Sequence, residues 1–133
     1  MDNTRRAGGF AAKTVRVEPG CTSGDVDHAT HAFGLAVPFG IVSTTGVAGL
    51  TLGGGTGYLT RKHGLTIDNL LEVDMVLADG SFVTANEREH PDLFWAVRGG
   101  GGNFDVVTSF RFKAHPVGMV YAGPVFWVSS SDA

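Results

Sequence analysis

Apolar and polar side chains alternate with a period of two along three stretches of the sequence, which predicts β-strands. The clearest stretch is LLEVDMVLADGSFVTA, residues 70–85, where Asp79-Gly80 predicts a primed hairpin turn. We therefore expect a β-hairpin with one face in the core. Shorter stretches predict a strand at residues 14–18 and another in DVVTSFRFKAH, residues 105–115, the latter with Val106, Thr108, Phe110 and Phe112 on one face.

A period of three to four residues predicts two amphipathic helices. In TSGDVDHATHAFG, residues 22–34, Ser23 is a candidate N-cap and Gly34 a candidate C-cap. In HPDLFWAVRGG, residues 90–100, Pro91 lies in the first turn. The expected inward side chains are Val26, Ala29, Ala32 and Phe33 in the first helix and Leu93, Phe94 and Val97 in the second, with Asp27, His28 and His31 facing water.

The order of these elements predicts the fold class. Strand, helix, glycine-rich segment, hairpin, helix, glycine run and strand follow one another, so the hairpin includes much of the strand content. This order predicts an α+β fold with a mainly antiparallel sheet covered by helices. A doubly wound parallel sheet would need strands and helices to alternate throughout the chain.

The composition of the chain narrows the classes of partner that we expect it to bind. The chain has 133 residues, a net charge of -3 and no basic stripe, so we expect one compact unit that does not bind nucleic acid. We also expect no membrane partner, because no run of about 18 apolar residues is present. Cys21 is the only cysteine, which excludes a disulfide framework and fits a cytoplasmic location.

Two glycine segments carry the candidate chemistry. GVAGLTLGGGTGYLTRKHGLTIDN, residues 46–69, contains seven of the 20 glycines, and RGGGGNFDVV contains four in a row. Glycine lets backbone amides approach an anionic ligand such as a pyrophosphate, with Ser43, Thr44 and Thr45 as hydroxyl donors. The alternative is tight packing between a loop and a helix. A Rossmann site is disfavoured because no clear strand precedes the glycines, and no Gly-Lys-Ser/Thr follows to make a P-loop.

An ordered set of motifs resembles a known family. T-G-V-A-G-x-T-L-G-G-G, K-x-G-L-x-x-D-N, D-L-F-W-A-x-R-G-G-G-G-N-F and V-x-S-F resemble the FAD-binding domain of the vanillyl-alcohol oxidase superfamily, in its berberine-bridge-enzyme-like branch. The resemblance covers residues 14–117 and implies the second subdomain of a PCMH-type FAD-binding domain. It divides the chain into residues 1–117, a partial FAD-binding domain without its N-terminal pyrophosphate subdomain, and residues 118–133, the first strand of a truncated substrate domain.

The resemblance implies FAD as cofactor, lying along residues 44–49 with the turn at residues 53–57 behind it. Thr45 corresponds to the family's oxygen-access gate. The implied cofactor-binding residues are Thr44, Thr45, Gly46, Val47, Ala48, Gly49, Gly53, Gly54, Gly55, Gly57, Asp68, Asn69, Gly100, Gly101, Gly102, Asn103 and Phe104.

The chain departs from the family's pattern at three places. Val42 replaces the cysteine that links the flavin in bicovalent members. RRAGGF is not assigned the role of the family's histidine segment, because it has Phe10 where histidine is needed and lies too close to the strand at Thr14. Asp105 replaces the usual glycine after Asn103-Phe104. A carboxylate there would disfavour a flavin phosphate unless it points to solvent.

The resemblance implies that the complete enzyme oxidises a small organic substrate by hydride transfer to flavin, with dioxygen as acceptor. No catalytic base or metal ligand is assigned, and we expect the chain alone to be inactive. The alternative is a non-catalytic remnant or interaction module that binds no flavin and self-associates as a homodimer, through surfaces that missing domains would cover.

Four residues have more than one interpretation. His63 and His115 are candidate acids or bases, but surface placement is the favoured prediction for both. Tyr58 either stacks near the flavin or fills the core behind the glycine turn. Cys21 is expected to be an ordinary small buried residue.

Overall fold

A four-stranded antiparallel sheet forms the centre of the fold. The computed structural model describes residues 13–104, 106–121 and 126. The sheet has the strand order β1-β5-β3-β4, and each neighbouring pair is antiparallel. The α+β prediction is therefore confirmed. Its strands are β1 (Thr14–Val17), β3 (Leu70–Val76), β4 (Phe82–Asn86) and β5 (Val106–Lys113).

Short helices and a second, two-stranded sheet complete the fold. β2 (Leu35–Ala36) pairs with β6 (His115–Pro116) beside the main sheet. The predicted first strand of a substrate domain, within residues 118–133, lies largely outside the described residues. The helices are α1 (Ser23–His31), α2 (Val47–Leu52), α3 (Thr60–His63) and α4 (Pro91–Val97), with 3-10 helices at Thr66–Asn69 and Gly101–Phe104.

The β3–β4 hairpin is confirmed, but the predicted primed turn is wrong. A primed turn of the Asp-Gly type needs positive φ at both residues, and only Gly80 has it, at 83°. The Gly80 amide donates to the Leu77 carbonyl at 2.8 Å, and the Asp79 carboxylate accepts from the Ser81 amide at 2.8 Å. The aspartate thus stabilises a longer loop through its side chain.

A β-bulge changes which face of β5 is buried. The register of β3 against β5 shifts between Asp74 and Met75. Because an extra residue reverses the alternation of side chains, Val107 is buried while Val106 is 67% exposed. The prediction that Val106, Thr108, Phe110 and Phe112 lie on one face is therefore wrong, because the first two are exposed and the last two are buried.

Helix α1 begins one residue earlier than predicted. Thr22, not Ser23, is the N-cap, and its hydroxyl accepts from the Asp25 amide while the Asp25 carboxylate accepts from the Thr22 amide. The helix ends at His31, so Ala32 and Phe33 turn outward instead of joining the core. The predicted exposure of Asp27, His28 and His31 is confirmed.

The inner face of the sheet carries the hydrophobic core. Phe110 and Phe112 are fully buried, and the Phe112 ring meets Phe39 edge to face with 5.2 Å between centroids. Helix α4 adds Phe94 and Val97, as predicted. The core positions the segment from Val37 to the glycines, because Val37, Pro38 and Phe39 are buried where that segment crosses the sheet.

The outer face of the sheet is charged. The Asp74 carboxylate accepts hydrogen bonds from Arg16, Thr84 and Ser109, which come from the three other strands. Burial raises the pKa of Asp74, but these hydrogen bonds and the Arg16 charge outweigh it, so the pKa is lowered overall. The polar residues of this face are therefore paired with one another.

Candidate functional site

Three backbone hydrogen bonds fix the loop at residues 43–47. The Ser23 amide donates to the Thr45 carbonyl at 2.9 Å, and the Val47 amide donates to the Cys21 carbonyl at 2.9 Å. The Gly24 amide donates to the Ser43 carbonyl at 2.8 Å. The entry to α2 is thus held against the beginning of α1, although some 20 residues separate the two segments in sequence.

Gly46 and Gly49 form an open surface at the start of α2. Both are exposed, and a Cβ atom built on either would meet no other atom within 4 Å. Within residues 13–104 and 106–121, no carbonyl accepts a hydrogen bond from the Ala48 or Gly49 amide. Because the first amides of a helix lack partners within the helix, these two can donate to a bound group. We call residues 46–49 the open glycine turn.

Gly55 and Gly57 are closed in by the chain itself. A Cβ on Gly57 would lie 1.8 Å from the Phe39 carbonyl oxygen, and one on Gly55 would lie 2.3 Å from the Thr66 hydroxyl. Gly55 also has a φ of 77°, which side chains rarely adopt. These two glycines are required by packing, which was the alternative interpretation of the segment. We call residues 55–57 the closed glycine turn.

The fold brings the predicted cofactor segments together. Helix α2 packs against the Thr66–Asn69 3-10 helix and also against the Gly101–Phe104 3-10 helix. A Cβ atom on Gly102, like one on Gly46, would meet no other atom within 4 Å. A Cβ on Gly100 would lie 2.3 Å from the Ala96 carbonyl oxygen. Three segments distant in sequence therefore border one region of the surface. Asp105 falls outside the described residues.

Asp68 and Asn69 have partners inside the chain. The Asn69 amide group donates to the carbonyls of His63 and Leu65 at 3.0 and 2.8 Å, and its oxygen lies 2.7 Å from His115 Nε2. The Asp68 carboxylate accepts from the Leu65 amide at 2.8 Å. These contacts give both residues a structural role, so the implied support of the cofactor stays a prediction.

His63 and His115 are not ordinary surface residues, and that prediction is wrong. Both are partly buried, and their rings stack with 3.9 Å between centroids and an interplanar angle of 18°. Residues from α3 and β6 meet here because Asn69 lies between them. Sequence offered no signal for this contact, since the two histidines are 52 positions apart.

Tyr58 is 73% exposed, so the prediction that it fills the core is wrong, while stacking near a flavin stays a prediction. Cys21 is buried as predicted, and burial raises the pKa of its thiol. Thr45 is half-buried, and its role at an oxygen gate is untested.

Neither a metal centre nor a membrane span is found in the part of the chain that the structure describes. Residues 13–104 and 106–121 contain no group of three or more His, Cys, Asp or Glu side chains able to hold a metal ion. Over the same residues, no helix has the length and apolar character needed to cross a bilayer.

An antiparallel sheet covered by short helices, with an open glycine turn at its surface, defines an α+β domain. Comparison with protein families matches residues 7–86 to the family described as FAD binding domain. The chain belongs to the FAD-binding domain family. FAD is the cofactor of this family, so the cofactor prediction is confirmed at the level of the family.

Curated relatives match most of the chain. The chain is 52% identical over 116 residues to the FAD-linked oxidoreductase pgmH of Aspergillus terreus. It is 40% identical over 121 residues to (R)-6-hydroxynicotine oxidase of Paenarthrobacter nicotinovorans. These matches cover 87% and 90% of this chain but only 23% and 26% of the relatives. The chain thus spans about a quarter of the length of these proteins.

Solved structures share the fold. The berberine-bridge-enzyme-like protein 1 of Physcomitrella patens aligns with a TM-score of 0.80 and 40% identity, over 86% of this chain and 26% of that one. The 6-hydroxy-D-nicotine oxidase of Arthrobacter nicotinovorans aligns with a TM-score of 0.79 and 41% identity, over 81% of this chain and 24% of the other. The resemblance to the berberine-bridge-enzyme-like branch is confirmed.

Proposed function

We propose that the open glycine turn holds the pyrophosphate and flavin of FAD, and that the complete protein is a flavin-dependent oxidoreductase. The observation that supports this most directly is the pair of unpaired amides at Ala48 and Gly49 beside two glycines with free space. Backbone amides bind phosphate oxygens well, and missing Cβ atoms let a flat ring lie close.

The side chains around the turn suit the two parts of the cofactor. Ser43 and Thr44 are exposed hydroxyl donors next to the amides. Ile41 and Val42 are 61% and 53% exposed, which gives an apolar surface on which a flavin ring can rest. Gly102 extends this surface, and the Gly101–Phe104 helix closes one side.

The flavin would supply the redox chemistry by accepting a hydride from a small organic substrate and passing the electrons to dioxygen. The role proposed for this chain is to bind the cofactor and keep its ring in place. Thr45, which is small and half-buried, would leave a path for dioxygen to the ring. A base for substrate deprotonation is not assigned within residues 13–121, and the substrate class rests on the relatives.

Gel filtration after incubation with FAD tests whether the chain binds the cofactor. The 133-residue chain is incubated with FAD and passed through gel filtration, and the absorption spectrum of the protein peak is recorded. Retention of flavin at one equivalent, and its loss in Gly46→Val, would support the proposal. Gly80→Ala, in the distant β3–β4 hairpin, is the control for general damage. A colourless wild-type peak from folded protein would contradict flavin binding by this chain.

A second test concerns the acceptor in the complete protein. Flavin in the full-length protein is reduced with light and mixed with dioxygen in a stopped-flow instrument. Rapid reoxidation with release of hydrogen peroxide would support an oxidase. Slow reoxidation, with fast electron transfer to a dye, would assign the protein to the dehydrogenases instead.

Self-association is the second candidate function, and exposed apolar side chains favour it. Trp95, Phe82 and Val106 are each more than 60% exposed on α4, β4 and β5. Apolar residues exposed in this way are typical of surfaces that other protein segments cover. Light scattering of the flavin-free chain distinguishes a homodimer from a monomer, and Trp95→Gln is expected to weaken a dimer that uses this surface.

A further inference from the structure

The stacked histidines join parts of the chain that otherwise share few contacts. His63 ends α3, and His115 begins β6, which pairs with β2. The amide of Val117 donates to the Gly34 carbonyl at 3.0 Å, next to the same pair of strands. Residues 37–46 follow β2 directly and lead to the open glycine turn. The histidine contact therefore lies at the base of that loop.

Asn69 fixes the tautomer of a neutral His115 ring. Both hydrogens of its amide are donated to the His63 and Leu65 carbonyls, so the orientation of the amide is set and its oxygen must face His115 Nε2. His115 Nε2 therefore carries a hydrogen and donates it at 2.7 Å. A neutral His115 then has its Nδ1 unprotonated.

The His63 ring is enclosed where it stacks on His115. Its Nε2 is buried and has no hydrogen-bond partner among residues 13–104 and 106–121. A positive charge on this ring would be buried without an acceptor, which is costly. Two charged rings with 3.9 Å between centroids would in addition repel each other.

The charged groups of the surrounding elements add to this effect. Lys62 of α3 and Lys113 of β5 both disfavour a positive charge on His115. Asp68 is the carboxylate of the neighbouring 3-10 helix, and it already accepts from the Leu65 amide and faces Arg98 at 3.7 Å. α3, β2, β5 and β6 contain no acidic residue that could neutralise the pair.

We propose that His63 and His115 form a proton-sensitive clasp that holds β6 and β2 in place at neutral pH and releases them in mildly acidic solution. Protonation of His115 places a positive charge in a partly buried ring that lies against His63 and near Lys62 and Lys113. The β2–β6 pair then opens, and the Val117 amide loses the Gly34 carbonyl as its acceptor. The clasp does not depend on flavin binding, so it is tested in the flavin-free chain.

The difference between the pKa of His115 in the folded chain and in the unfolded chain gives the direction in which stability changes with pH. Burial first, and then the charges of His63, Lys113 and Lys62, lower the pKa of His115 in the folded chain. The unfolded chain therefore takes up this proton first as the pH falls below about 6.5. The stability from neutral His115 is complete above that pH and is lost as the pH falls toward the lowered pKa of the folded chain.

Histidine titration by NMR is the first test. The chain has five histidines, and His28 and His31 are exposed on α1, so they serve as internal references. The clasp predicts that His115 titrates at a lower pH than both references. Titration of His115 together with His28 and His31 would overturn the proposal.

Hydrogen exchange of the Val117 amide is the second test. After correction for intrinsic rates, protection is expected to fall at least about tenfold between pH 7.5 and pH 5, two values on either side of the ordinary histidine pKa. The double variant His63→Phe with His115→Gln should keep its protection over this range, and His28→Gln should behave like the wild type. If the double variant does not fold, the same exchange measurement is made on the single variant His115→Gln, which should also keep its protection over this range. An equal loss of protection in the wild type and the variant would overturn the clasp.

Discussion

The open and closed glycine turns use the same residue for opposite reasons. In the closed turn, the space where a side chain would lie is already filled by the Phe39 carbonyl and the Thr66 hydroxyl. In the open turn, the space around Gly46 and Gly49 is free. The first arrangement serves the fold, and the second leaves room for a group outside the chain.

This difference shows that a count of glycines does not locate a ligand. Seven glycines in 24 residues suggested one continuous binding surface. The glycines of the closed turn are instead required because a side chain there would overlap neighbouring atoms of the chain. Substitution should therefore separate the two turns: changes in the closed turn should affect stability, and changes in the open turn should affect flavin retention.

Gly57→Ala is expected to have the largest effect on stability. Its methyl group would overlap the Phe39 carbonyl oxygen, so the backbone must move, at a cost of about 3 kcal/mol or more in the free energy of unfolding. Urea unfolding followed by circular dichroism measures this loss. Gly102→Ala is the matched control, because it enters open space at negative φ and should change stability by less than about 0.5 kcal/mol. Equal losses in the two variants would remove the distinction between closed and open glycines.

Thr66→Val is expected to have an intermediate effect. The Thr66 hydroxyl is buried and donates to the Pro38 carbonyl at 2.7 Å, while its shape fits against Gly55. Valine keeps the shape but leaves that carbonyl unpaired, which should cost about 1–3 kcal/mol. Urea unfolding again gives the value, and Thr56→Val, at an exposed position of the closed turn, is the control. A loss no greater than that of the control would show that the hydroxyl does not hold the turn.

Gly49→Ala is expected to have the smallest effect on stability. Gly49 lies inside α2 with free space around it, and alanine is the better helix former by about 1 kcal/mol, so the flavin-free chain should be unchanged or slightly stabilised. Its affinity for FAD, measured by quenching of flavin fluorescence, should nevertheless fall by about tenfold or more, which corresponds to about 1.4 kcal/mol. Stability and affinity falling together would indicate that this turn is also part of the packing.

The sequence predicted the elements whose signals are local. Alternation in residues 70–85 identified the hairpin, and the motifs identified the family. Two failures came from shifts that local patterns do not record: the bulge beside Asp74 exposed Val106, and the end of α1 at His31 exposed Phe33. A bulge depends on how two strands are paired, so it has no signature in either strand alone.

The sequence predicted which residues belong to the candidate site, but it did not predict which of them are enclosed by the chain and which are open to a ligand. The motifs named both turns as cofactor-binding, and only the contacts of Gly55 and Gly57 separate the closed turn from the open one. The histidine pair could not be predicted either. His63 and His115 meet through Asn69 because of the course of β6, which pairs with a strand some 80 residues earlier in the chain.

The most direct test of the account is an NMR titration of the backbone amides with FAD. The account predicts that the Ala48 and Gly49 amides shift and become protected from exchange when FAD is added. The Gly57 amide, which already donates to the Thr60 hydroxyl at 2.9 Å, should stay nearly unchanged. Shifts centred on the closed turn, or unchanged Ala48 and Gly49 signals in a sample that retains flavin, would contradict the proposal that the open glycine turn holds the cofactor.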